Sequence, residues 1–214
     1  MAHAAVLAPE QRRALDRLSA GAPMSGFYLA GGSALTHHLG HRQSLDLDFF
    51  SLSPRADLAE VRAWLAGVFV DVRILGETDV ALHAECDAAR IDFVRYPYAP
   101  LEPPAAGPGG VRVAGLRDLG TMKLSAIARR GLRRDFWDLF EILRTGPSLA
   151  SLGADYVARF GRDASDLYHV ARALVYFDDA EKDPAFPAGL TAERWAAMKA
   201  YFEEHAAGLF GLER

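Results

Sequence analysis

The sequence predicts an α+β chain: a mixed β-sheet with flanking helices over residues 1–110, followed by a helical bundle over 111–214. Three observations carry this. Residues 27–50, FYLAGGSALTHHLGHRQSLDLDFF, hold two short strand patterns separated by a Gly-Gly turn and a helical stretch. Residues 69–96 hold three more strand-like runs, joined by turns short enough for antiparallel hairpins. After Val111–Val113, itself a candidate short strand, apolar residues recur at helical spacing only.

In order along the chain, residues 8–20 (APEQRRALDRLSA) read as an amphipathic helix with Pro9 near its start and Leu15 and Leu18 on one face. Phe27-Tyr28-Leu29-Ala30 suits a buried strand, Gly31-Gly32 a turn, and Ser33 to Leu39 a short helix. The basic loop His41-Arg42-Gln43 leads into a second strand, SLDLDFF. Ser53 is placed to cap a helix with Pro54 at its first position, the apolar period running to about residue 68. Strands are expected at 69–75, 80–85 and 90–96, with turns at Gly76-Glu77-Thr78-Asp79 and Cys86-Asp87-Ala88-Ala89.

From Tyr96 to Gly110 the sequence YPYAPLEPPAAGPGG has five prolines and three glycines. That composition is a connector rather than a regular element, its aromatic and proline side chains laid over a domain surface. The helices beyond are expected at 116–130, 134–144, 148–160, 163–180 and 191–208. Gly131, Gly146-Pro147, Gly161, Asp183-Pro184 and Pro187 supply the breaks.

At 214 residues with half of them hydrophobic, the chain has ample material for a core. A net charge of −4 argues against an indiscriminate nucleic-acid binder, though not against a local basic groove. The one cysteine, Cys86, has no partner for an internal disulfide and reads as a small half-buried strand residue. No zinc-type Cys/His spacing occurs. The N-terminal residues do not read as a signal peptide, and no apolar run approaches the roughly 20 residues of a membrane span. The expected location is the cytoplasm, with no membrane partner.

The chemistry concentrates in a few positions. Asp46 and Asp48 alternate with Leu45, Leu47 and Phe49, so the carboxylates share one strand face while apolar side chains take the other. Two like charges side by side call for something positive between them, and a divalent cation supplies it. A third strand carboxylate, Asp92, lies between Ile91 and Phe93. Together the three could hold two Mg²⁺ ions, with Asp92 accepting a proton from an attacking hydroxyl; a salt bridge to Arg90 or Arg95 is the other reading of Asp92.

Gly31, Gly32 and Ser33 at a helix start offer backbone N–H groups, and a Ser33 hydroxyl, to a triphosphate. Arg42 and His41 stand where a cation could steady phosphate charge; Arg42 could equally pair with Asp46 or Asp48 and order its loop. His37 and His38 read as helix-surface residues. Phosphate cradle plus metal-binding carboxylates is the equipment of phosphoryl or nucleotidyl transfer.

Residues 116–134 carry six basic side chains (Arg117, Lys123, Arg129, Arg130, Arg133, Arg134) against the single acid Asp118, a positive run in an acidic chain. Lys123 and Asp135 are about 18 Å apart along an unbroken helix. They can share a site only if the chain turns, and Gly131 is the obvious place. A hairpin there would return Arg134 and Asp135 toward Lys123, with Asp135 also suited to the first turn of the helix it opens.

LAGGSALTHHLGHRQSLDLDFF, then IDF, then KLSAIARRGLRRDFWDL resembles the nucleotidyltransferase toxins of the AbiEii/AbiGii family, within the DNA polymerase β-like nucleotidyltransferase superfamily. The likeness spans roughly residues 25–145. It implies a nucleotidyltransferase-type sheet, with Gly32-Ser33 as the triphosphate turn, Asp46 and Asp48 as paired metal ligands and Asp92 as the third carboxylate. It also implies that Lys123 lies near the nucleotide and that Arg134-Asp135 is the Arg-Asp pair of the later motif. The implied activity is Mg²⁺-dependent transfer of a nucleotide from a nucleoside triphosphate to an acceptor hydroxyl, with transfer RNA or another RNA as acceptor, by a toxin restrained by a cognate antitoxin protein. Two readings stand beside it: a regulatory binding module that has kept the fold without turnover, and transfer to a small molecule or protein. No base-reading motif is visible. The expected active site is a cleft between the two halves, with the proline-rich connector alongside.

Overall fold

In the computed structural model, which describes residues 7–161, 163–183 and 186–211, Phe27–Ala30 (β1) is buried at every position. That makes it an inner strand, apolar on both faces. Gly31–Leu39 (α2) follows Pro9–Ser19 (α1) in the helix count, and Asp46–Ser51 (β2) returns antiparallel to β1 with Ala30 opposite Asp48. After Leu58–Val68 (α3), the strands Val72–Glu77 (β3), Ala81–Cys86 (β4) and Ala89–Val94 (β5) form two successive antiparallel hairpins. Ala105–Ala106 (β6) and Arg112–Val113 (β7) complete a seven-stranded mixed sheet in the order β3-β4-β5-β2-β1-β7-β6. The pairs β2–β5 and β1–β7 are parallel.

β2 and β5 alternate as their sequences require. Leu47, Phe49, Ile91 and Phe93 are fully buried, while Asp46, Asp48 and Asp92 sit half-buried on the opposite face. The Phe49 and Phe93 rings stack at 5.2 Å, and Phe27 meets Phe93 edge-on at the same spacing. Packing of this kind fixes register, because a one-residue slip would turn the phenylalanines outward and the aspartates into the core.

Three departures from the sequence reading have local causes. The helix expected from Ser53-Pro54 begins at Leu58: Asp57 caps it, accepting from the N–H groups of Ala59 (2.9 Å) and Glu60 (3.2 Å). Ser53-Pro54 instead forms a turn, in which Ala56 N–H donates to the Ser53 carbonyl at 3.2 Å. The Pro/Gly-rich connector is not wholly irregular, since Ala105–Ala106 pairs with β7. Because β7 pairs with β1, residues 111–115 belong with the sheet. The two compact units are Met1–Gly115 and Leu116–Arg214.

The second unit is helical: Leu116–Arg129 (α4), Arg133–Leu143 (α5), Leu149–Phe160 (α6), Ala164–Leu174 (α7), Asp178–Lys182 (α8) and Ala192–His205 (α9). The single helix expected over 163–180 is two, α7 and α8. Val175 and Tyr176 close α7 with short-range bonds to the carbonyls of Arg172 and Ala173. Phe177 then turns inward, its ring 5.2 Å from that of Phe136 and 5.7 Å from that of Trp195. Burying that ring against two others outweighs continuing the helix through a Val-Tyr-Phe run of poor helix formers. Pro184, expected to break a helix, and residues 1–6 lie outside the described residues. Among the described residues no helix is long and apolar enough to cross a membrane.

If Asp57 rather than Ser53 caps α3, Asp57→Ala should cost about 1 kcal/mol in urea unfolding and Ser53→Ala distinctly less. Equal losses would put the cap in the wrong place.

Candidate active site

Gly31 opens α2 with a left-handed φ of +61°, which disfavours any side chain. Space forbids one as well: a Cβ there would lie 2.1 Å from Asp48 Oδ2. At Gly32 a Cβ would meet Ser44 Oγ at 2.5 Å and the Arg42 guanidinium at 3.0 Å. The turn and the DLD strand are thus in van der Waals contact, and the N–H groups of the first turn of α2 have no partner within the helix. They carry the positive end of its dipole to the Asp48 side.

The loop residues hold this contact together. Ser33 is fully buried and its hydroxyl donates to the Asp46 carbonyl, so the side chain expected to face a phosphate ties α2 to β2. Thr36 Oγ1 donates to the carbonyls of Gly32 (3.0 Å) and Arg42 (2.9 Å), and Arg42 Nη1 donates to the Gln43 carbonyl at 2.9 Å. Arg42 is buried, packed against the Gly32 turn. His38 is exposed on α2, as expected, and its Nε2 also donates to the Ala114 carbonyl at 2.8 Å.

The parallel register of β2 and β5 places Asp48 directly opposite Asp92, and Asp46 opposite Arg90. Neighbouring strands are about 5 Å apart. Carboxylates on adjacent strands repel one another, and less so where water reaches them. One compensation is visible. His83 on β4, opposite Asp92, has Nδ1 at 2.9 Å from Asp92 Oδ1. The partner of Asp92 is therefore this histidine, while Arg95 donates to the Ala56 carbonyl at 3.0 Å. His83 was passed over in the sequence, although the Cys86–Ala89 turn already implied that it faces Asp92.

The donor set is all-oxygen and suits a hard cation such as Mg²⁺. Among the described residues no three His, Cys, Asp or Glu side chains converge as a ready-made metal cage. Mg²⁺ is commonly held by one or two carboxylates plus substrate phosphates and water, for which Asp46 and Asp48 suffice. Cys86 offers no nucleophile: burial, reinforced by the nearby Asp87, Asp71 and Glu85, pushes its thiol up to about 11.

In the helical unit, Gly131 (φ +51°) turns the chain between α4 and α5. Lys123 Nζ lies 3.0 Å from Asp135 and 2.6 Å from Asp138. Asp135 also accepts from Arg130 Nε at 3.0 Å and Nη2 at 3.2 Å. Both aspartates are fully buried and the Lys123 side chain is 9% exposed. Asp138, three residues after Asp135 on the same helical face, and Arg130 complete a cluster of which the sequence reading held only Lys123 and Asp135. Burial works against ionisation of Asp135, but the Lys123 charge and the Arg130 hydrogen bonds prevail and hold its carboxyl below the ordinary value.

Half of the positive run over 116–134 is neutralised by carboxylates. Arg117 pairs with Asp155 at 2.5 Å, and Lys123 and Arg130 pair within the cluster. Arg133 donates to the carbonyls of Asp183 and Glu181 and stacks on Phe186. Arg129 and Arg134 are exposed and make no ion pair among the described residues.

The architecture, a seven-stranded mixed sheet with flanking helices and a helical unit after it, is of the nucleotidyltransferase type. The family model described as "Nucleotidyl transferase AbiEii toxin, Type IV TA system" matches residues 13–208. Uncharacterized protein aq_aa25 of Aquifex aeolicus (strain VF5) is 34% identical over 179 residues, covering 83% of this chain and 86% of that one. Among solved structures, JHP933 from Helicobacter pylori superposes with a TM-score of 0.52 at 16% identity, covering 94% of this chain and 91% of its own. MenT4, the nucleotidyltransferase toxin Rv2826c from Mycobacterium tuberculosis H37Rv, gives 0.50 at 20% identity, covering 94% and 92%; likeness at these identities is one of fold. The chain belongs to the AbiEii nucleotidyl transferase toxin family and is a nucleotidyltransferase.

The buried cluster makes two stability predictions. Lys123→Met should destabilise the protein by about 3 kcal/mol, because it removes the buried cation that Asp135 and Asp138 share. The lowered pKa of Asp135 gives a contribution that is complete above the unfolded carboxylate value of about 4 and lost as pH falls through the folded value. Asp135→Asn should therefore lie below wild type in urea midpoint near neutrality, the gap narrowing below about pH 4. A gap independent of pH would contradict the ionised role of Asp135.

Proposed function

We propose that this nucleotidyltransferase moves a nucleotide from a nucleoside triphosphate to a hydroxyl of an RNA acceptor, transfer RNA being the first candidate: the hydroxyl oxygen bonds the α-phosphorus, the α–β phosphoanhydride bond breaks and pyrophosphate leaves, with Asp46 and Asp48 as the residues that would hold Mg²⁺. The observation that carries the reading is the missing Cβ at Gly31, whose place is taken by the Asp48 carboxylate. Phosphate-binding backbone and cation-binding carboxylate could hardly be closer.

Bound Mg²⁺ would neutralise phosphate charge and make a coordinated hydroxyl easier to deprotonate. The chain's own groups do the rest. The N–H groups of Gly31, Gly32 and Ser33 bind and orient the triphosphate at the positive end of α2. Arg42, packed beneath Gly32, adds positive charge under the turn. Asp92, one strand away from Asp48 and steadied by His83, takes the proton of the acceptor hydroxyl or joins the cation site as a third ligand, allowing two ions. Lys123 and Asp135 act as positioning residues that order the α4–α5 hairpin, on which the exposed Arg129 and Arg134 offer charge to nucleic-acid phosphates. As a member of a toxin family from type IV toxin–antitoxin systems, the protein would be held in check by a cognate antitoxin.

Each α-labelled nucleoside triphosphate, incubated with the protein, Mg²⁺ and total cellular RNA, tests this. Label should pass to RNA, and Asp48→Ala should lower the rate by about a hundredfold or more. Absence of transfer to RNA, or equal transfer by Asp48→Ala, would defeat the proposal.

A further inference from the structure

The aspartate face of β2 continues into aromatic surface. Phe50 follows Asp48 by two positions, so both side chains leave the same face, about 7 Å apart along the strand. The Phe50 ring meets that of Tyr96 edge-to-face at 4.9 Å, and Tyr96 meets Tyr98 in the same way at 5.3 Å. Tyr28, opposite Phe50 on β1 and fully buried, backs the row at 6.3 Å.

All three rings of the row are half-buried, unlike Phe49 and Phe93 on the core face, which show no surface. Their footing is fixed. Tyr96 N–H donates to Ser51 Oγ at 2.9 Å and Ser51 Oγ to the Ser53 carbonyl at 2.7 Å. Arg95 N–H donates to the Val80 carbonyl at 2.8 Å. Pro97 and Pro100 stiffen the backbone that carries Tyr98. A partly exposed row of rigid rings beside a phosphate-and-carboxylate site has the chemistry of a stacking platform for planar bases.

We propose that Phe50, Tyr96 and Tyr98 form a shelf on which a nucleobase stacks while its phosphate or sugar hydroxyl lies at the Asp46, Asp48 and Asp92 face. The proposal rests on reading that face as the nucleotide site. Two sources share this chemistry, the base of the nucleoside triphosphate and the terminal base of the RNA acceptor. Stacking accepts any base, so the shelf holds rather than selects.

The test compares wild type, Tyr98→Phe, and a double variant with Tyr96→Leu and Tyr98→Leu, which keeps apolar bulk and removes the aromatic faces. Three probes are titrated into the full chain with Mg²⁺: a non-hydrolysable nucleoside triphosphate, inorganic tripolyphosphate, and a short single-stranded RNA with a free 3′ hydroxyl. The double variant should bind tripolyphosphate as wild type does and bind the nucleotide or the RNA about tenfold more weakly or worse, with Tyr98→Phe near wild type. Loss for the nucleotide alone assigns the shelf to the donor base, and loss for the RNA alone assigns it to the acceptor. If the double variant does not fold, Tyr98→Leu alone carries the comparison. Unchanged binding of both base-containing probes would overturn the shelf and leave the phosphate site standing, as would a parallel loss of tripolyphosphate by a folded variant. Wild type that binds none of the three would overturn the shelf and the underlying reading together.

Discussion

The proposed nucleotide site depends on one close approach: the Asp48 carboxylate occupies the space that a side chain on residue 31 would need. The constraint runs both ways. Residue 31 must be glycine because its φ is positive and its flank is filled. Asp48 must keep its strand register, or its charge leaves the turn. That register is held from below by Phe49 on Phe93 and from the side by Ser33, whose hydroxyl binds the Asp46 carbonyl. Core packing, loop bonds and site geometry are thus one arrangement.

The helical unit is organised by buried charge. Lys123, Arg130, Asp135 and Asp138 close one cluster, and Arg159 with Asp118, both without exposed side-chain surface, forms another at 2.7 Å. Such pairs contribute little net stability against well-packed apolar residues but penalise any arrangement that separates them. They fix how α4 meets α5 and α6. Lys123 and Arg130 of the basic run from 116 to 134 are taken up in this work, while Arg129 and Arg134 stay exposed.

What could be read from the sequence is what short-range chemistry dictates. The strand–turn–helix–strand of residues 27–51 was legible because glycines, alternation and spacing act over a few residues. The turn at Gly131 that brings Asp135 back to Lys123 was legible from distance alone. The α3 start was misplaced because Ser53-Pro54 and Asp57 are both plausible caps, and only the fold decides between them. The break between α7 and α8 depends on where Phe177 finds Phe136 and Trp195, a tertiary fact. Arg117 looked like free charge because its partner, Asp155, lies 38 residues away. Asp92 could be placed on a strand beside the Asp46 and Asp48 strand, but its companion His83 required carrying the hairpin register through to its neighbour.

The most direct measurement of the central claim is calorimetry of Mg²⁺ with a non-hydrolysable nucleoside triphosphate on wild type, Gly31→Ala and Asp48→Asn. If turn and carboxylate are one site, wild type binds, and both variants, folded by circular dichroism, lose binding together although neither replacement removes the other residue. Wild-type affinity in folded Gly31→Ala would contradict the account, since it would mean that the space between residue 31 and Asp48 is not where the nucleotide is held.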